Sequence, residues 1–548
     1  MKRRKFIQFL GLLGAGLWSA NKSGFLAQTI SQDSIPAVSL EKLPEFSFNG
    51  LTYKDLHDFL EPLCSKKAMN LRLYMENLYE TSITFQHGLV DISHWDQGLG
   101  CDLMFASNEF VQQWNSNQWD LAIWKEELEG MMLLRQEVAA NARPKSTPGV
   151  PRKIADTTTT SAANDSAALL GQEENKTPEI LRFTEIKDFR EKTCEFGPSD
   201  LTLEDRIEFL KRLDLYRQRI MPEIDGFKYR WRDWEKLFSV WFTEPGFTRD
   251  RTFWMSWDVE LERDRWQYSY PYGGYQNAKE MIQGEGLALE GLFQNMKEQI
   301  ERLEKLPFGS INPNLYPVVL APGNNALLWA QGLFPYFSVI DKDSKSRLAT
   351  LAKDFPNTLT IQDDPRSRIG KISMVIDDDG YLAKNYFLIQ NGELNLGFID
   401  RLGAWKKLEG VNGRTRRMNY RCPPVVAPTN FTIAAGSDRA EDLLKAYPSV
   451  IWVERIDIPF VDQKTGNFTA SIPQAIRYQQ GVPRERLKDL VMAGNIFEIT
   501  RSIKGVGNDF FVDNSRGYYY NNQQKIATSY GMPSILVSNV LLTYFKRS

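Results

Sequence analysis

Histidine is nearly absent from this chain: there are three in 548 residues, His57, His87 and His94, all within the first hundred. Hydrolytic zinc is ordinarily held by two or three imidazoles with a carboxylate or thiolate, leaving one position open for water. The C-terminal three quarters therefore cannot hold a histidine-based catalytic cluster. A site built earlier would need His87 and His94, seven apart with Asp91 between them. In one continuous strand that spacing puts the two rings on opposite faces. Cysteine is as sparse. Cys64, Cys101, Cys194 and Cys422 are too few for a disulfide framework in a chain of this size, and no two stand at metal-binding spacing. One bridge, Cys64–Cys101, is compatible with an oxidising compartment, but three complete connectivities remain open. Cys422 has no histidine near it in sequence, so a nucleophilic role needs a distant partner. A surplus of one charge is lacking too. The 67 basic and 69 acidic side chains leave a net charge of -2, which removes the electrostatic case for gripping nucleic acid. There is no Gly-x-Ser-x-Gly elbow, no phosphate loop and no internal repeat.

What is present is a soluble-type composition long enough for two or more domains. The first residues carry Lys2-Arg3-Arg4-Lys5-Phe6-Ile7, then a short glycine-containing apolar run over Phe9–Trp18. This resembles a twin-arginine export signal over residues 1–30, and the run is too short to span a bilayer comfortably. The expected location is periplasmic or another extracytoplasmic compartment, with no transmembrane span beyond the signal. A first domain is expected over 50–310. It has a helix over Tyr53–Cys64, strands at Asn70–Glu76 and Thr81–Asp91, and a helix over Trp119–Ala142. Residues 143–178, rich in Thr, Ala and scattered Pro, read as a disordered insertion. A helix over Thr202–Met221 opens with a capping pattern at Thr202 and Asp205. Trp266, Tyr268, Tyr270 and Tyr272 alternate at strand spacing, so all four rings share one face. Such a face packs against a helix more often than it stacks on a sugar. Residues Tyr275–Leu306 fit one amphipathic helix. A strand-rich second domain, 311–548, then begins near Leu315, with a type I′ hairpin at Asn391-Gly392.

Several segments carry a resemblance. Tyr316–Leu320 runs into Pro322-Gly323 and an apolar stretch through Phe337. Ile376-Asp377-Asp378-Asp379-Gly380, Asn391-Gly392 with Asp400, and Asn412-Gly413-Arg414 with Pro424 and Thr429-Asn430 follow in order. Val506-Gly507-Asn508-Asp509 with Asp513-Asn514, and Gly531-Met532-Pro533-Ser534, complete the series. Together with residues 91–103 these resemble the motif blocks of the TldD/PmbA metallopeptidases, also labelled modulators of DNA gyrase, in pieces from about Ala68 to Asn539. The resemblance implies a two-domain α+β fold, with an N-terminal mixed sheet and helices and a strand-rich C-terminal domain.

Active members of that family carry His-Glu-x-x-x-His on the helix after the Pro-Gly turn. Aligned through Pro322-Gly323, the three positions here are Ala330, Gln331 and Pro335. The family's third ligand, a cysteine, falls on or beside Tyr519. The resemblance therefore implies a catalytically degenerate member with no metal and no cofactor. A homologous TldD/PmbA-type subunit or a second copy is the expected partner. Asn412, Gly413 and Arg414 fall close to where the family has its substrate cleft, Asn508 and Asp509 are also retained, and these five are the candidate peptide-binding residues, or else they cap turns and brace the sheet. The Asp377–Asp379 run lacks the ligand spacing of a calcium loop and reads as a turn. Two rival readings remain: an active metallopeptidase whose displaced ligands would be sought at His87, His94 and Cys422, and an extracytoplasmic glycan- or peptide-binding protein using the Trp266–Tyr272 face.

Overall fold

A computed structural model describes residues 47–126, 197–337, 350–395 and 413–544, with short interruptions inside those ranges. The stretch expected to be a signal, the expected insertion at 143–178, Cys64 and Asn412 lie outside the described residues, and so does the Cys64–Cys101 pairing. The fold is α+β, as expected.

The first sheet is a six-stranded antiparallel layer of long strands: β1 (Asn70–Gln86), β2 (Leu89–Ser107), β3 (Phe110–Ser116), β4 (Lys228–Phe242), β5 (Gly246–Arg263) and β6 (Trp266–Gly273), in the order β3-β2-β1-β4-β5-β6. The expected strand Thr81–Asp91 is corrected here. The chain turns at His87-Gly88, both with positive φ, and Gln86 pairs with Leu89 across the hairpin. His87 is therefore an exposed turn residue and His94 sits on the returning strand, so the one-strand argument about their faces falls away. Helix α1 (Leu203–Ile220) lies on one side of this sheet. Thr202 caps it, with its hydroxyl accepting from Asp205 N–H and the Asp205 carboxylate accepting from Thr202 N–H. Such a reciprocal box contributes about 1 kcal/mol. The helix is registered by Arg206, which donates to Asp233 at 2.6 Å and to the carbonyls of Pro198 and Leu201.

Helices α2 (Ala278–Gln283) and α3 (Gly286–Glu304) both lie within the helix expected over Tyr275–Leu306, and residues 284–285 between them are outside the described residues. The aromatic face of β6 is buried where Trp266 and Tyr268 join the core formed with α1 and α3. That counts against the glycan reading, because Trp266 and Tyr268 pack inside the protein, while Tyr270 and Tyr272 are half-buried against the same core.

From residue 311 onward a second, larger core forms. Strands β7 (Asn314–Leu320), β8 (Ser449–Arg455), β9 (Asn467–Gln479), β10 (Val482–Asn495) and β11 (Ile535–Tyr544) run β8-β7-β11-β10-β9, and β9 pairs back to β8. The five strands thus close on themselves, which leaves no open edge among them. A second mixed sheet orders Glu393–Leu394, Tyr386–Gln390, Ile361–Asp363, Asn430–Ile433, Ser529–Met532 and Phe511–Asp513. Its first hairpin turns at Asn391-Gly392 with φ of 51° and 81°, the expected type I′ geometry. Among the described residues no helix is long and apolar enough to cross a membrane.

Candidate functional site

Strand β7 ends at the Pro322-Gly323 turn, after which come helices α4 (Leu327–Gly332) and α5 (Phe334–Phe337). Gly323 has φ 91°, and a Cβ there would meet the Phe511 ring at 2.7 Å, so glycine is required by conformation and by space. Asn325 locks the turn. Its amide donates to the carbonyls of Ala321, Val453 and Glu454, and its oxygen accepts from Ile456 N–H at 2.9 Å. Trp329 Nε1 donates to Thr500 Oγ1 at 3.0 Å from the buried side of α4.

The positions that would carry zinc donors are brought together, but with other chemistry. Ala330 is fully buried, Gln331 is buried beside the Tyr530 hydroxyl, and Pro335 is half-buried. Tyr519 stands on the strand Tyr518–Asn521, with its ring edge-on to Phe334 at 5.6 Å. A methyl, an amide, a proline ring and a phenol do not make a zinc donor set. Burial pushes the Tyr519 phenol well above its ordinary range, so it stays protonated and cannot ligate as a phenolate. Among the described residues no group of three His, Cys, Asp or Glu is placed to hold a metal ion.

The other expected residues are placed as braces. Gly413 has φ 65°, and a Cβ would run into the Leu382 carbonyl. Arg414 is buried, pairs with Asp363 at 3.1 Å and donates to the carbonyls of Asp363 and Lys384. Burial lowers the Arg414 pKa, with Asp363 opposing. Asn508 N–H donates to the Asp438 carbonyl, while Asp509 accepts from Ser534 N–H at 2.8 Å and from its hydroxyl at 2.6 Å. Asn508 is exposed, unlike Arg414. Cys422 is partly buried, and burial raises its thiol pKa, the opposite of what a thiolate ligand needs.

A charged junction was not anticipated from the sequence. The face of the first sheet opposite α1 packs against Ile372, Met374, Val375, Ile376, Ala383, Tyr420 and Ala527. Lys236 on β4 donates to both oxygens of Asp378 at 2.8 Å, and Arg72 on β1 pairs with Asp379. Arg417 N–H donates to Asp378, and its guanidinium lies 4.0 Å from the centre of the Tyr74 ring. Glu76 accepts from the Tyr74 hydroxyl at 2.8 Å and from Tyr420 N–H at 2.7 Å. Asp377 closes the turn as expected, taking Asp379, Tyr381 and Thr415 N–H groups. Burial pushes Glu76 up to about 7 against the pull of Lys236, and burial likewise pushes Asp377 up to about 7. The available signal was alternation: Trp234, Lys236, Phe238 and Val240 share one face of a strand, and a lysine amid three apolar residues needs a buried counter-ion.

The structure thus defines an α+β protein in which a strand runs through a Pro-Gly turn into two short, largely buried helices over residues 314–337. Residues 313–543 match the PmbA/TldA metallopeptidase C-terminal domain. A metalloprotease of Synechocystis sp. is 28% identical over 262 residues, 46% of this chain and 56% of that protein. A metalloprotease TldD homolog of Buchnera aphidicola is 29% identical over 185 residues, 33% of this chain and 38% of that protein. The chain therefore matches about half or less of the length of these curated relatives. TldE from Thermococcus kodakarensis shares the fold at TM-score 0.57 and 14% identity, covering 89% of this chain and 99% of that one. These matches support membership of the TldD/PmbA family.

Proposed function

We propose that this chain is an exported, non-hydrolytic TldD/PmbA-type protein that acts as a peptide-binding or partner subunit, beside a homologous subunit or a second copy of itself. The observation that carries the reading is the filled donor position: Ala330 and Phe334 on one side and Tyr519 on the other pack as core. Placing imidazoles there would require overpacking a closed interior, at about 1–3 kcal/mol for each enlarged side chain. Names among the relatives and neighbours include both TldD and TldE, which favours a homologous subunit as the partner.

The purified chain is expected to contain near-zero zinc by mass spectrometry after dialysis. It should leave unstructured peptides intact, and it should co-purify with a co-expressed homologue that carries His-Glu-x-x-x-His. Zinc approaching one per chain, with peptide cleavage abolished by a chelator, would overturn the non-hydrolytic reading. For export, a reporter fused behind residues 1–30 should leave the cytoplasm and should be retained when Arg3→Lys and Arg4→Lys are combined. Export that survives the double change sinks the twin-arginine route.

A further inference from the structure

Beside the charged junction lies a cluster of donors with too few acceptors. Lys371 is almost fully buried, and its ammonium nitrogen lies 3.8 Å from the centre of the Trp254 ring and 4.7 Å from that of Tyr518. Its hydrogen-bond acceptor is the Gly517 carbonyl, at 3.5 Å. Lys525 places its ammonium 4.0 Å from the centre of the same Tyr518 ring. The two cations therefore flank one phenol, no further apart than the sum of their distances to it. Arg232 completes the cluster. One of its terminal nitrogens pairs with Asp258, but its Nε is buried without an acceptor, as is Trp254 Nε1. Among the described residues neither lysine makes an ion pair, and Glu80, the nearby carboxylate, stays outside ion-pair reach of both. Burial and then Arg232, Lys525 and Arg416 pull the Lys371 ammonium well below its ordinary range, with Asp513 opposing. Lys525 is pulled down by burial and Arg232, with Glu80 opposing.

A buried cation without a counter-ion is costly, and a cation–π contact offsets only part of that cost. Toward the surface, Lys525 and Tyr520 are exposed and Glu80 is half-buried. We propose that the cluster of Lys371, Lys525 and Arg232, beside the Trp254 and Tyr518 rings, is a binding site for an oxyanion, of which the carboxylate of a peptide is the ligand the neighbouring rings favour. Lys525 receives the anion at the surface, Lys371 meets it from the buried side, and the aromatic rings pack against the adjoining residue of the ligand. The site is independent of whether the chain hydrolyses peptides or pairs with a homologue.

The test is a calorimetric titration of the full chain with three probes: a short aromatic peptide bearing a free C-terminal carboxylate, the same peptide amidated, and inorganic phosphate. Saturable binding of the free-carboxylate peptide is expected, weaker for the amide, and weakened about tenfold or more by Lys525→Met and by Lys371→Met. Lys525 is at the surface, so its variant keeps the fold, and Lys371→Met exchanges a buried cation for a neutral side chain of similar length. Phosphate binding that exceeds peptide binding, and is lost in the same variants, keeps the oxyanion site and assigns it to free phosphate. No saturable binding by any probe, or titrations unchanged in both lysine variants, overturns it.

Discussion

Replacing Lys236 by methionine is expected to cost about 3–5 kcal/mol of stability, more than any substitution of similar size on the outer surface. Its ammonium is buried, bonds both oxygens of a buried carboxylate at 2.8 Å, and lies within 5.8 Å of the centres of the Tyr74, Trp234 and Phe238 rings. Removing it leaves Asp378 desolvated, with Arg417 N–H as a remaining donor. The attraction between the partners is only one part of that cost. Most of it is the penalty for an uncompensated buried charge, so the double change Lys236→Met with Asp378→Asn should recover a large share of the loss. Urea unfolding of the two single variants and the double variant measures this directly. A Lys236→Met loss under about 1 kcal/mol, or a double variant no better than the worse single, would show that water reaches this pair and that the junction is not sealed.

The local elements of the fold were legible where a short run of residues carries its own mechanism. Thr202 with Asp205 announces a helix start, Asn391-Gly392 announces a hairpin, and Pro322-Gly323 announces the turn before α4; each needs only neighbours within four positions. The hairpin at His87-Gly88 was missed because it is not one of the Asn-Gly, Asp-Gly or Gly-Gly pairs that mark a two-residue turn, although histidine is among the residues enriched at positive φ. The seam itself was beyond reach. Lys236 meets Asp378 across 142 positions and Glu76 meets Tyr420 across 344, and a lone sequence holds no local trace of such partners. The same limit hid the oxyanion site, where a lysine from a loop, a lysine from a strand and a tryptophan from the first sheet converge. At the positions that the resemblance aligns with zinc ligands, the residue types Ala330, Gln331, Pro335 and Tyr519 could be read from the sequence, but that Tyr519 packs against Phe334 could not.

The buried acids of the seam make stability depend on pH in a direction opposite to that of most surface carboxylates. Glu76 and Asp377 are both pushed up to about 7 by burial, from ordinary values of 4.5 and 3.8. Between those values and 7 the folded chain holds two protons that the unfolded chain has released. Since the folded state binds more protons there, unfolding free energy falls as pH rises. The contribution is full below the ordinary carboxylate values and lost once pH passes 7, on the order of 3 kcal/mol for each group. Carboxylates lowered by hydrogen bonds, such as Asp205 and Asp214, act in the opposite sense but lose their contribution only at more acidic pH. Histidine, the usual titrating group of this range, is represented by three residues in the whole chain, so the background is small. The protein is therefore expected to unfold at higher urea at pH 5.5 than at pH 8. Glu76→Gln keeps an oxygen for Tyr420 N–H and removes one titration, so it should narrow the difference by about half. If the variant keeps the full pH difference of the parent chain, Glu76 is not the group that holds the proton, and the seam is wetter than its geometry implies.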